Sequence, residues 1–107
     1  MDIYKKLFTG ALEFDWDFGN INKNQNKHGV GTDECEEVFF NKPLLIKIDD
    51  EHSKNELRFS ALGRSNDNRY LYLVFTIRNS KVRIISARDQ SKKEKPIYRA
   101  TIIKEKQ

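Results

Sequence analysis

The chain has 107 residues, 37% hydrophobic and 34% charged, with a formal charge of +4. That length fits one domain over 1–107 with a single modest core, and the composition excludes both a membrane protein and the disordered class. The longest uninterrupted apolar run, Tyr70 to Phe75, falls far short of the ~20 residues of a bilayer span; Leu7, Phe8, Ala11 and Leu12 are too broken up by Thr9 and Gly10 for a signal peptide, so the expected location is the cytoplasm.

The first dozen residues carry mixed signals. Leu12 to Trp16 alternates apolar with acidic side chains, which predicts a short half-buried strand. Asp17 can then cap a helix running to about His28, with Gly29 as its stop. Thr32 reads as the next N-cap, with Asp33 and Glu34 at the positive end of the dipole and Cys35, Val38 and Phe39 on one apolar face. After Pro43 the pattern turns to strands: Leu44–Ile48, then Leu57–Gly63 with Arg58, Ser60 and Leu62 on the face opposite Phe59 and Ala61. Arg64 would share the face of Arg58 if that strand ran on. Ser65 to Asn68 is a turn cluster. Tyr70–Arg78 is nearly all apolar or aromatic and is expected to be a central strand buried on both faces. Asn79-Ser80 makes a tight turn into Val82–Arg88. Ser91 and Glu94 match a capping box that opens a last helix, but Pro96 requires that helix either to kink or to begin later.

The expected fold is therefore α+β: an antiparallel sheet of about four to five strands, two N-terminal helices and a C-terminal helix, with the helices on one face of the sheet. The lone Cys35 excludes an internal disulfide, and with only His28 and His52 besides, no spacing points to a zinc site. No metal and no cofactor are expected, so chemistry here would be acid–base work. Charge is unevenly spread. Up to Ser53 six lysines face eleven carboxylates; beyond it fourteen Lys and Arg, including every arginine, face five. Such a basic half is an electrostatic footprint for a polyanion, usually nucleic acid, although a solvated face kept for solubility has the same composition.

Five blocks in order carry a resemblance: Phe14-Asp15-Trp16-Asp17; Asn24 with Lys27-His28-Gly29-Val30; Glu34 with Val38-Phe39; Glu56 with Arg58-Phe59 and Gly63-Arg64-Ser65; and Val82 to Arg88 followed by Glu94 and Tyr98. Over residues 14–98 the chain resembles the BrnT ribonuclease toxins, whose fold is similar to that of the RelE-like toxins; residues 1–13 and 99–107 lie outside the match. It departs from the family's pattern at Asn20, Thr32 and Pro96. The resemblance implies an RNA-cleaving toxin of a toxin–antitoxin pair, covered by a ribbon–helix–helix antitoxin that alone reads operator DNA.

Metal-free RNA cleavage needs a base for the 2′-hydroxyl, an acid for the leaving oxygen and fixed positive charge at the phosphorus. The matched residues offer Arg58, Arg64, Arg83, Arg88 and Lys27 as the charges, with His28, Glu56, Glu94 and Tyr98 as titratable groups. Lys92 and Lys93 join Arg64 and Lys27 as RNA-backbone contacts. Plainer roles are open to each: His28 on its helix's last carbonyls, Glu94 in the capping box, Tyr98 packed on the sheet, Glu56 paired with Arg58. The alternative function is a non-catalytic module, or a toxin relic, that binds RNA or antitoxin without cutting.

Overall fold

The computed structural model describes residues 11–21, 27–52 and 54–105. Helix α1 spans Thr32–Val38. Four strands follow: β1 Leu45–Ile48, β2 Arg58–Arg64, β3 Tyr70–Arg78 and β4 Lys81–Asp89, with a 3-10 turn at Asp50–His52. Helix α2, Glu94–Glu105, ends the described chain. The sheet is a meander in the order β1-β2-β3-β4, antiparallel throughout.

Alternation within the strands builds the core. Leu71, Leu73 and Phe75 of β3 are fully buried beside Ala61, Val82, Ile84 and Ala87. On this face the aromatic rings interlock: Phe75 stacks on Phe59 and meets Phe39 edge-on, and Phe39 meets Phe14. Gly63 is needed where α1 crosses the sheet, because a Cβ there would lie 2.5 Å from Val38 Cγ1. Cys35 is buried in the same layer, and burial pushes its thiol up to about 12. Asn79 and Ser80 both take positive φ in the β3–β4 turn, the geometry a tight two-residue hairpin requires.

Several expectations change. The two described helices lie on opposite faces of the sheet. Val38 of α1 sits against Gly63, whereas Tyr98 of α2 packs on Tyr70 of the other face. Consequently β3 is not equally buried on both sides; Tyr70, Tyr72 and Val74 are only half-covered, because α2 shields one end of its face. Gly31, not Thr32, is the N-cap of α1, and Glu34 reaches back to accept its N–H at 3.2 Å. Pro96 does not break α2. It is the third residue of the helix, within the first turn, where amide N–H groups have no intrahelical partner to lose.

The expected N-terminal strand is present as a single parallel bridge, Phe14 to Val82, on the outer edge of β4. Of the two expected N-terminal helices, the second is α1. The first, expected from Asp17 to about His28, includes residues 22–26, which lie outside the described residues. At its near end Asp17 caps one turn, accepting from Gly19 N at 2.8 Å. At its far end Lys27 and His28 are helical and Gly29 has φ +66°.

Candidate RNA-binding face

The face of the sheet that carries α2 is where the basic residues collect, and strand register sets their spacing. Arg58 of β2 pairs with Thr76 of β3, which pairs with Arg83 of β4. Two arginines therefore flank one buried threonine on a single rung, each about 5 Å from it between strand axes. Thr76 donates its hydroxyl to Leu57 O at 2.7 Å, so it is a fixed floor between them. Arg88 lies on the same face, opposite Tyr72, and its guanidinium sits 4.0 Å above that ring. Along β4 it is five residues from Arg83, on the order of 15 Å. Arg58 and Arg83 thus stand two strand spacings apart on one rung, and Arg88 lies at another point on the face.

Most of these guanidinium groups are held by carboxylates. Asp17 grips Arg83 with both oxygens, at 2.9 and 3.0 Å, and Asp15 lies 3.5 Å away. Glu56 grips Arg78 in the same two-point fashion, at 2.8 and 3.0 Å. Glu94 holds Arg88 at 2.8 and 3.0 Å. Arg83 would be costly in an apolar strand without such partners. Asp15 and Asp17 reach it because their segment runs along the edge of β4, tied by Asn20, which donates to both Asp15 O and Ile84 O.

Four carboxyls are lowered by the arginine that grips them. The Arg83 guanidinium holds Asp17 below the usual range, Arg78 does so for Glu56, Arg88 for Glu94 and Arg69 for Asp89. A carboxylate depressed in the folded state stabilises it fully above the ordinary value near ~4, and that contribution is lost as pH falls through the lower folded value. The urea midpoint is therefore expected to be flat from pH 7 to about 5 and to fall below about 4, with Glu94→Gln flattening the fall. An equally steep fall in that variant would mean that the Arg88 pair contributes nothing.

The remaining predicted residues are dispersed. Glu94 forms the expected capping box with Ser91: its carboxylate accepts from Ser91 N, and its own N–H donates to Ser91 Oγ. Lys92 and Lys93 are exposed in the turn just before it. Tyr98 is fully buried and donates its hydroxyl to Pro43 O at 2.7 Å. Arg64 shares the face of Arg58, as its spacing implied, and donates to Lys42 O and Asn68. Lys27 and His28 are exposed at a different corner, where the carbonyl of His28 is bound by Arg69.

Sequence reasoning passed over Arg69, Arg78, Asp15 and Asp17. A signal for the last two was present, since acids two apart on an alternating strand share a face and call for cations there.

Two recesses adjoin the face. An open one of about 740 Å³ is lined by Lys54, Asn55, Glu56, Arg58 and Arg78 with Glu51. A smaller, largely apolar one of about 240 Å³ lies under α2, between Leu45, Leu62, Tyr72 and Ile97. Among the described residues no three His, Cys, Asp or Glu side chains gather so as to hold a metal ion, and no helix is long and apolar enough to cross a membrane.

Arginines paired across one rung, an aromatic ring beneath a third and an adjoining recess of mixed charge form a surface suited to a phosphate backbone. No curated protein matches the sequence. The family that does match, over residues 16–94, is the ribonuclease toxin BrnT of type II toxin–antitoxin systems. That match covers well over half of the chain and includes Arg58, Arg83, Arg88 and Glu94: the protein belongs to the BrnT family of ribonuclease toxins.

Proposed function

We propose that this chain cleaves RNA without a metal ion, in the cytoplasm, and so arrests translation until an antitoxin of the ribbon–helix–helix class covers it. The observation that carries the reading is the Arg58–Thr76–Arg83 rung on one sheet face, in a chain of a ribonuclease family. A scissile phosphate lies over Thr76, where Arg58 and Arg83 stabilise the charge that builds as the 2′-oxygen gives its proton to a base and attacks phosphorus, the bond to the 5′-oxygen breaking as that oxygen takes up a proton. Arg83 meets it already fixed by Asp15 and Asp17, so little reorganisation is needed. The strand then runs along the face toward Tyr72 and Arg88, with Lys92, Lys93 and Arg64 as backbone contacts and Lys27 and His28 approaching from the Arg69 corner. A RelE-like kinship belongs to the same reading, supported by the antiparallel sheet with a C-terminal helix on the substrate face.

The test is direct. The purified chain is incubated with RNA in excess EDTA, alone and with the short protein encoded beside it. Products that persist in chelator and vanish on adding that protein support the proposal; cleavage that stops with EDTA overturns its metal-free part. One observation favours a second reading, a scaffold that binds without cutting: carboxylates already neutralise Arg78, Arg83 and Arg88. Retention of RNA with no product would establish it.

A further inference from the structure

Arg69 lies outside the arginine-bearing face, yet its guanidinium is fully engaged. Its backbone is fixed first: Arg69 N–H donates to Ser65 Oγ, and Arg69 O accepts from Ser65 N. Nε and Nη2 grip Asp89 at 2.8 and 3.1 Å. Nη1 reaches Glu34 of α1 at 3.1 and 3.2 Å and Gly29 O at 2.9 Å. Nη2 also donates to His28 O at 3.2 Å. An arginine has five N–H donors in a planar fork, and every one has an acceptor here. Lysine cannot reproduce that set.

The partners tell what the fork holds. His28 O and Gly29 O are carbonyls at the end of a helical turn, where a cation is favoured. Asp89 continues the connection: its own carbonyl accepts from Arg88 Nη1 at 3.0 Å, and Arg88 is bound to Glu94. An unbroken path thus runs from the backbone of His28 through Arg69 and Asp89 to Arg88 on the substrate face.

We infer that Arg69 is a positioning residue that fixes the Lys27–His28 segment against the Arg88 end of β4, setting the reach of these two side chains to RNA. The inference rests on the proposed ribonuclease reading and adds to it the device that joins its two separated groups of residues. A purely structural clamp would alter stability alone; a positioning clamp makes the contribution of His28 depend on Arg69.

The test is a double-mutant cycle with Arg69→Lys and His28→Ala, read by steady-state cleavage of an RNA oligonucleotide and by amide hydrogen exchange. Asp89→Asn serves as a second, milder way to loosen the fork. Arg69→Lys is expected to lower kcat about tenfold with KM changed less than about twofold, and His28→Ala in that background to cost less than about twofold more. Exchange at Gly29 and Val30 should rise about tenfold while amides of β3 stay protected. Multiplying effects, a wild-type rate insensitive to His28→Ala, or unchanged exchange at Gly29 overturns the inference. If the wild-type chain cuts no RNA, the ribonuclease reading fails by itself, and the clamp is judged by the exchange measurement alone.

Discussion

Arg83→Ala is expected to reduce kcat/KM for RNA cleavage by about 10²–10³-fold, the usual loss when one preorganised donor to a developing oxyanion is removed. Arg83 shares its rung with Arg58 across a buried Thr76, and two carboxylates hold its guanidinium in place. On the proposed reading its loss removes a transition-state contact, and it also leaves Asp15 and Asp17 as uncompensated negative charge on that face, so the second effect adds to the first. Arg83→Lys keeps the charge but cannot be gripped at two points by Asp17 or hold a fixed plane, and it should recover only part of the rate. Arg88→Ala, about 15 Å along β4, is expected to raise KM more than it lowers kcat. Measuring all three variants on one oligonucleotide decides the matter: equal losses at Arg83 and Arg88 would move the scissile phosphate away from the Thr76 rung.

The sheet was legible in the sequence because its signals are local. Alternation in 57–63, the near-continuous apolar run at 70–78 and the Asn79-Ser80 turn each specify a strand or its end from neighbouring residues alone, whereas the register shift between Val74 and Phe75 has no such local mark. The position of α2 was not legible, since a helix with Pro96 in its first turn and isoleucines exposed at 97 and 103 does not advertise one buried stripe. What pins it is Tyr98, a single ring that finds Tyr70 and Pro43 across the fold.

The site divides in the same way. Arg58 and Arg64 could be put on one face by counting along a strand, and Arg83 fell within the strand expected at 82–88. Its partners could not be found by counting: Asp17 meets it across 66 positions, through a parallel bridge that only the fold creates. Arg69 was hidden more completely, in a turn of polar residues where an arginine excites no remark. Its acceptors come from three separate stretches of the chain.

Tyr98→Ala is expected to destabilise the fold by about 3–5 kcal/mol, the cost of deleting a large buried ring, whereas Tyr98→Phe should cost about 1–3 kcal/mol by leaving Pro43 O without its donor. The two variants separate packing from chemistry. Tyr98 is fully buried, with its ring 5.0 Å from that of Tyr70 and its hydroxyl turned to the backbone; it anchors the helix whose first residue, Glu94, holds Arg88. If anchoring is its role, Tyr98→Phe should retain kcat/KM within about twofold wherever it remains folded, and activity in Tyr98→Ala should follow the folded fraction through a urea titration. A loss of more than about 100-fold in folded Tyr98→Phe would instead show that the hydroxyl leaves Pro43 to reach the substrate, which would make proton transfer its role and α2 a part of the cleavage machinery.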